Sequence, residues 1–147
     1  MMQLNIEWLA RELRIDSPSA DDLTALSTAF EAEFVAAGMP MIHQGTSVME
    51  LYFVHSGNVR IVHKNSAHAV TLDARQNSRT FGEISFFGDE PATADVLAET
   101  PCEVYKISCA KYHALMQQHP KLAMKMMAYV LRSMGDIIRR LDRNSRG

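Results

Sequence analysis

The segment FGEISFFGDEPATADV, residues 81–96, has the composition of a loop that closes around a small ligand. It opens with Phe-Gly-Glu, continues through apolar residues to Gly88 and Pro91, and returns to a β-like run at Ala92. Glycine and proline at such spacing allow the backbone to turn tightly. The segment contains four carboxylates and no Lys or Arg. The pattern therefore predicts the shape of a phosphate-binding loop without the residue that binds phosphate.

The other reactive side chains do not indicate nucleophilic catalysis. Ser85 and Ser108 have no base near them in a recognisable arrangement. Cys109 begins a predicted helix, where the pKa of a thiol can be lowered, and His113 lies one turn further along. We expect Cys109 to be an inert cysteine at a helix start, and we predict no catalytic residue.

The composition is that of an ordinary globular protein. The 147 residues are 47% hydrophobic and 22% charged, with a net charge of -2. A chain of this length buries roughly 68–70% of its unfolded surface. Cys102 and Cys109 follow no metal or redox spacing, and there is neither an apolar signal region nor a run of ~18 apolar residues. We predict a single domain over 1–147, cytoplasmic and without a membrane span.

Helices are predicted at the start of the chain. Leu4 and Trp8 lie near helical spacing, and Ser19 or Asp21 can cap a second helix. The apolar positions of this second helix continue three to four apart as far as Gly38: Leu23, Leu26, Phe30 and Phe34. The predicted order is N-terminal helices over 1–37, a β region over 38–107 and C-terminal helices over 108–143.

The β region begins with alternating apolar residues. In LYFVHSGNVRIVHK, two alternating runs flank Ser56-Gly57-Asn58, which has turn chemistry, so we predict a β-hairpin. HAVTLDA is predicted as a further strand. DVLAETPCEVYKI is predicted as two strands about a Glu99-Thr100-Pro101 turn.

The last predicted helix carries the strongest periodic signal. It follows a helix capped by Ser108 and begins at Pro120. One apolar set is spaced 4, 3, 4, 3, 4, as in a coiled-coil seam: Ala123, Met127, Val130, Met134, Ile137 and Leu141. A second set could face the β region: Leu122, Met126, Tyr129 and Leu131. We predict a homodimer through this helix; the alternative is that the stripe packs on its own domain.

Three stretches together carry a family resemblance. GMPMIHQGTSVMELYFVHSGNVRIV, FGEISFFGDEPATADV and HPKLA, in that order, resemble the cyclic-nucleotide-binding domain family of the cyclic-AMP receptor protein and kinase regulatory subunits. The likeness extends from about Gly38 to Leu141. It implies a mainly β fold, a double-stranded β-helix or jelly roll, flanked by N-terminal helices and a long C-terminal helix.

The resemblance also implies a ligand pocket at the phosphate-binding cassette. Gly82 would let the backbone approach the ligand, and Glu83 would accept hydrogen bonds from the ribose 2'-hydroxyl. The family pattern expects an arginine and then a small or hydroxyl residue after the proline, where this chain has Ala92 and Thr93. The cassette is therefore predicted to be degenerate. The candidate pocket residues are Gly82, Glu83, Ile84, Ser85, Ala92 and Thr93.

Loss of the cassette arginine would weaken phosphate binding. Truncating one partner of a buried charge pair costs about 2–5 kcal/mol, and ~1.4 kcal/mol is tenfold in affinity. Arg60, Arg75 and Arg79 are the candidate compensating cations. Family members often offer the purine a hydroxyl group from the final helix, where this chain has only Ser133. We predict a sensory module that does not bind cyclic AMP or cyclic GMP tightly, and that senses another small ligand or acts through protein contacts.

Two other functions are weighed against this prediction. One is cyclic-nucleotide sensing with a compensating arginine. The other is a cupin-like metalloenzyme, since cupins are also jelly rolls and the chain has six histidines. The cupin pattern needs a His-x-His pair, which this chain lacks, so we predict no metal, no cofactor and no enzyme. Family transcription factors add a helix-turn-helix after the long helix; this chain stops at RRLDRNSRG, so we expect no DNA-reading element in it, whether it is complete or a fragment.

Overall fold

The computed structural model describes residues 3–63, 69–73 and 79–146, with backbone only at 69–73, 84 and 136–146. Helices stand at both ends of a β region. The elements are α1 (Ile6–Glu12), α2 (Ala20–Ala29), β1 (Glu31–Val35), β2 (Pro40–Ile42), β3 (Glu50–Ser56), β4 (Asn58–Val62), β5 (Ala69–Asp73), β6 (Thr80–Phe81), α3 (Glu83–Gly88), β7 (Asp95–Ala98), β8 (Cys102–Ser108), α4 (Cys109–Gln118) and α5 (Pro120–Arg146).

The described strands form two antiparallel four-stranded sheets. One sheet has the order β1-β8-β3-β6 and the other has the order β2-β7-β4-β5. Consecutive strands therefore repeatedly cross from one sheet to the other, as they do in a jelly roll. This architecture, with helices before it and a long helix after it, confirms the predicted fold class. Among the residues that the structure describes, no helix combines the length and apolar character of a membrane span.

Strand β3 is buried on both of its faces and separates two hydrophobic cores. Leu51 and Phe53 pack with the helices in the first core. Tyr52 and Val54 point the other way, into the second core between the sheets. Because successive strand residues point to opposite faces, one short segment supports both cores. The second core also contains Phe81, the last residue before the predicted cassette turn.

The predicted hairpin of β3 with β4 is wrong. In the described part of the chain, β3 pairs with β6 and β8, and β4 pairs with β5 and β7, in the other sheet. The turn at Gly57 is a corner between sheets, with φ of 97°. A Cβ at Gly57 would lie 2.4 Å from the carbonyl oxygen of Pro101. Turn chemistry indicates a reversal of the chain, but it does not determine which strand becomes the partner.

The second helix is shorter than predicted. Ser19 caps it through a capping box with Asp22, as the sequence favours, but the helix ends at Ala29. Residues from Glu31 onward form β1, which pairs with β8 in continuous register. Phe30 turns into the helical core against Phe53, with ring centroids 5.4 Å apart. The β region therefore starts at residue 31, earlier than the predicted residue 38.

The remaining strand predictions agree with the structure. HAVTLDA contains β5, and DVLAETPCEVYKI contains β7 and β8. Ser108 caps α4 by accepting a 3.1 Å hydrogen bond from the amide of Lys111. Strand β8 lies between β1 and β3 and pairs with both, so it is one of the two interior strands of the first sheet.

Helix α5 packs on its own domain along a face that differs from the predicted seam. Ala123 and Val130 are buried in the helical core, whereas Met127 is 42% exposed. Leu131, predicted to face the β region, is 63% exposed. Up to residue 135, where the described side chains of α5 end, the helix buries Leu122, Ala123, Met126, Tyr129, Val130 and Ser133, with Met134 partly buried beside them. The side chains of Ile137 and Leu141 lie outside the described residues.

Candidate ligand-binding site

The cassette is a tight turn between a short strand and a short helix. Strand β6 ends at Phe81, Gly82 adopts the left-handed conformation with φ of 87°, and α3 begins at Glu83. A Cβ at Gly82 would lie 3.1 Å from the carbonyl oxygen of Glu50, so glycine permits both the conformation and the close packing. The turn places the first residue of α3 at the wall of the β roll.

A loop that precedes β3 holds the cassette by hydrogen bonds. The amide of Gly45 donates to the carbonyl of Ala92 at 2.8 Å, and the amide of Ala92 donates to the carbonyl of Thr46 at 2.9 Å. The amide of Val48 donates to Ser85 Oγ at 2.9 Å, and Ser85 is buried. Ser85 is therefore a structural acceptor that links the cassette helix to this loop. Both the amide and the carbonyl of Ala92 are therefore hydrogen-bonded to this loop.

Two further polar contacts join the last part of the cassette to residues that follow β2 and β4. The amide of Gln44 donates to Asp95 Oδ1 at 2.6 Å. The Nδ1 of His63 lies 3.0 Å from the carbonyl oxygen of Thr93, which accepts its hydrogen bond. Neither contact was predicted from the sequence. The Gln44-Gly45 pair, which belongs to the stretch that resembles the family, could have indicated the contact with Asp95. No feature of the sequence indicated the contact between His63 and Thr93.

A cavity of about 70 Å³ lies between the cassette and the second sheet. Its lining residues are Ile42, Ile61, Phe81, Gly82, Glu83, Ser85, Ala92, Thr93, Ala94 and Val96. The structure thus brings together the predicted residues Gly82, Glu83, Ser85, Ala92 and Thr93, while the side chain of Ile84 lies outside the described residues. Pockets for drug-sized ligands occupy roughly 300–1,000 Å³, so a nucleotide would need the walls to move apart.

Glu83 is the one titratable residue among the described lining residues of this cavity. Its Oε2 atom is buried, and within the described part of the chain it has no hydrogen-bond partner. Burial raises the pKa of Glu83 to about 7, although hydrogen bonds from the Thr80 side chain and from its own backbone amide act to lower it. A carboxyl group in apolar surroundings resists ionisation in this way because its charged form is poorly solvated.

The predicted compensating arginines are placed away from the cavity wherever the structure describes them. Arg60 is exposed on β4, between Val59 and Ile61, which point inward. Arg79 Nη1 donates to the carbonyl oxygens of Val54 and His55 at 3.1 and 3.2 Å. Arg75 lies outside the described residues. Of the lining residues that the structure describes, none is Lys or Arg.

Arg79 instead belongs to a network between the N-terminal and C-terminal helices. Its Nε lies 3.2 Å from Glu12 Oε1, and its guanidinium carbon lies 5.2 Å from the centre of the Trp8 ring. The same Glu12 oxygen accepts a 2.8 Å hydrogen bond from the Tyr129 hydroxyl. Burial and this contact with Glu12 raise the pKa of Tyr129 well above its usual value, so the hydroxyl stays protonated as a donor.

The other reactive side chains form no described catalytic or metal constellation. Burial and the charge of Asp89 raise the pKa of the Cys109 thiol, which is opposite to the activation of a nucleophile. His55 Nδ1 lies 3.0 Å from Glu103 Oε2. Within the residues described, no three His, Cys, Asp or Glu side chains are grouped as metal ligands would be.

Comparison with known proteins identifies relatives of this site and fold. The family model described as the cyclic nucleotide-binding domain matches residues 32–119, which include the whole cassette. The cAMP-activated global transcriptional regulator CRP of Escherichia coli O6:H1 is 32% identical over 94 residues, which are 63% of this chain and 45% of that protein. The chain thus spans less than half the length of this curated relative.

Solved structures show the same fold. A cyclic nucleotide-binding domain from Methylobacillus flagellatus superposes with a TM-score of 0.78 at 16% identity, over 92% of this chain and 79% of that one. The catabolite activator protein of Thermus thermophilus superposes with a TM-score of 0.68 at 25% identity, over 91% of this chain and 63% of that one. These similarities agree with the jelly roll predicted from the sequence.

Proposed function

The chain belongs to the cyclic nucleotide-binding domain family, and we propose that it is a regulatory module whose cavity does not bind cyclic AMP or cyclic GMP tightly. The observation that carries this proposal is Ala92, which stands where the family pattern has its phosphate-binding arginine. Among the described lining residues there is no cation, and Glu83 contributes a carboxyl group. A buried phosphate needs charge-assisted hydrogen bonds that this wall does not offer.

The magnitude of the loss decides against tight nucleotide binding. Removal of one member of a buried charge pair costs about 2–5 kcal/mol, which corresponds to roughly thirty-fold to several thousand-fold in affinity. Arg60 and Arg79 do not line the cavity, so neither offsets this loss in the described conformation. The module therefore senses a different small ligand or transmits its signal through protein contacts. It acts as a binding module and not as an enzyme.

Cyclic-nucleotide sensing is the second candidate. It is favoured by the match of the family model across the whole cassette and by the left-handed Gly82 and adjacent Glu83. The curated relative is by its name activated by cAMP. In this candidate a cation outside the described lining residues would replace the missing arginine.

A calorimetric titration separates the two candidates. Cyclic AMP and cyclic GMP are titrated into the wild type, the Ala92→Arg variant and a control, Ala110→Arg, which adds the same charge at an exposed position of α4. We expect no heat from the wild type or the control at millimolar nucleotide, and saturable binding by Ala92→Arg. Micromolar binding by the wild type would overturn the proposal and establish the second candidate. If none of the three proteins gives binding heat, the result would favour signalling through protein contacts.

The proposal includes a homodimer formed through α5. Among the side chains of this helix that the structure describes, three large apolar ones are exposed: Met124 at 70%, Met127 at 42% and Leu131 at 63%. Their spacing of three and four residues places them on one face of the helix, opposite the buried face that contains Met126 and Val130. A second copy of the chain would cover this stripe. The seam differs from the predicted one because Ala123 and Val130 are already buried in the helical core.

A further inference from the structure

The cassette cavity contains an unpaired acceptor in an apolar chamber. Glu83 Oε2 is buried without a described hydrogen-bond partner. The walls around it are mainly aliphatic and aromatic, with Ile42, Ile61 and Val96 among them. The lining contains two hydroxyl groups, those of Ser85 and Thr93. Ser85 Oγ accepts a hydrogen bond from the Val48 amide, and neither hydroxyl donates to Glu83 Oε2. A buried polar group of this kind costs free energy until a donor reaches it.

We propose that this cavity binds a small organic ammonium ion, whose N–H group donates to Glu83 Oε2 while its alkyl part contacts Ile42, Ile61 and Val96. This inference rests on the proposed function and specifies its ligand class. The family pattern pairs this glutamate with an arginine, whereas here Ala92 stands in place of the arginine, so Glu83 is the one group among the described lining residues that can carry charge. Charge-assisted hydrogen bonds are roughly twice as strong as neutral ones, so an ammonium ion gains more here than an alcohol.

The charges around the cavity agree with a cationic ligand. Asp89 and Glu90 lie exposed at the end of α3, and Asp95 lies on β7, where it accepts from the Gln44 amide. The described groups near the cassette that can carry positive charge include His63, whose ring is held at the carbonyl of Thr93, and His43, which follows the lining residue Ile42. Three carboxylates close to the cassette raise the local concentration of cations and lower that of anions.

The size of the cavity limits the ligand to a few heavy atoms. Its volume of about 70 Å³ is small beside the roughly 300–1,000 Å³ of pockets for drug-sized ligands. An alkylammonium ion with one or two carbons fits this space, whereas a ribose does not fit without movement of the walls. Ethylammonium is therefore the probe for the test, with ethanol as its neutral analogue and acetate as its anionic one.

The test is a titration followed by the amide NMR signals of Gly82, Glu83 and Ser85. At pH 8 we expect ethylammonium chloride to give saturable shifts at millimolar concentration, and ethanol and acetate to give none. Glu83→Gln is expected to weaken ethylammonium binding at least tenfold, while Glu31→Gln, at an exposed carboxylate on β1 in the other sheet, leaves it unchanged. Equal binding of ethanol, or equal binding by Glu83→Gln, would overturn the proposal, as would the absence of saturable shifts.

Further measurements separate loss of binding from loss of folding, and failure of this proposal from failure of the proposed function. The Ala92→Arg variant places a cation at the same wall, so it should lose ethylammonium binding while its spectrum stays that of a folded protein. Lowering the pH from 8 to 6 should weaken binding by the wild type roughly tenfold, because Glu83 takes up a proton. Cyclic AMP is titrated into the same wild-type sample: tight binding there overturns the proposed function, whereas failure of ethylammonium alone overturns only the ligand class.

Discussion

The Tyr129 hydroxyl donates a 2.8 Å hydrogen bond to Glu12 Oε1, which joins α5 to α1. The same oxygen lies 3.2 Å from Nε of Arg79, the residue that precedes β6 and the cassette. One carboxylate therefore connects the last helix, the first helix and the strand that leads to Gly82. Movement of α5 away from the domain would break the hydrogen bond from Tyr129 to Glu12. The ion pair between Glu12 and Arg79 would remain.

Tyr129→Phe tests this connection. The ring remains to stack on Phe53, at a centroid distance of 5.5 Å, so the substitution removes mainly the hydrogen bond. Hydrogen bonds to charged groups contribute ≈ 1.5–3 kcal/mol, and because Glu12 is partly exposed we expect a loss of about 1.5 kcal/mol in the free energy of unfolding by urea. The same substitution in a Glu12→Gln background should cost clearly less. Identical costs in both backgrounds would show that the two residues are not coupled.

The stability of the protein should depend on the ionisation of Glu83. Its pKa rises from 4.5 to about 7 on folding, so the folded state holds the proton more tightly than the unfolded state does. The stabilisation by the neutral carboxyl is therefore complete below pH 4.5 and is lost as the pH rises through about 7. At 1.36 kcal/mol per pKa unit, this amounts to on the order of 3 kcal/mol.

Urea unfolding of the wild type and of Glu83→Gln between pH 4.5 and 8 measures this effect. The difference between the two free energies of unfolding should change across the range by on the order of 3 kcal/mol, with the wild type losing stability at high pH. Glu90→Gln, at an exposed carboxylate, should run parallel to the wild type. If the Glu83→Gln curve is also parallel, the carboxyl group is not desolvated in the folded protein.

Alanine should destabilise the protein more at Gly57, the corner between the two sheets, than at Gly38. Gly57 and Gly38 both have positive φ, 97° and 83°. At Gly38 no described atom lies within 4 Å of an added Cβ, whereas at Gly57 the carbonyl oxygen of Pro101 lies 2.4 Å away. Gly38→Ala should cost about 1–2 kcal/mol from the left-handed conformation alone. Gly57→Ala should cost several kcal/mol more, or prevent folding, because the backbone between the two sheets must shift.

Thermal unfolding of the two variants beside the wild type measures this difference. Because the backbone strain is common to both positions, the gap between them reports the steric conflict with Pro101. Similar melting temperatures for Gly38→Ala and Gly57→Ala would mean that the corner can open without cost, and would contradict the close packing found there.

The sequence predicted the strands better than it predicted their partners. Alternation in β3 identified a strand with two distinct faces, and both faces are buried. The pairing of β3 with β8, which joins residues as far apart along the chain as Glu50 and Ser108, depends on contacts that no local pattern encodes. The same limit explains the error at Phe30: its spacing suits a helix, but pairing of the following residues with β8 outweighs that local preference.

The candidate site could be predicted in its residues but not in its chemistry. Motif order was enough to place Gly82, Glu83 and Ala92 together, and the structure brings them to one cavity. The unpaired state of Glu83 Oε2 depends on which neighbours lie within hydrogen-bond distance, which a linear sequence does not specify. Arg79 shows the same limit: its position four residues before Glu83 suggested a role in the pocket, but its contacts with Glu12 and Val54 direct it to the helical core.

Leu131→Glu tests the proposed dimer. Leu131 is 63% exposed on the face of α5 that also carries Met124 and Met127, so a charge there should leave the fold intact and be buried unpaired only in a dimer. We expect the wild type to sediment as a dimer at micromolar concentration and Leu131→Glu to dissociate at least tenfold more readily. Met116→Glu, at an exposed apolar residue of α4, is the matched control and should remain dimeric. Val130→Ala should instead lose about 1–3 kcal/mol of folding free energy, because Val130 is buried in the helical core. A wild type that sediments as a monomer would contradict the proposal, and a dimer unaffected by Leu131→Glu would place the interface on another surface.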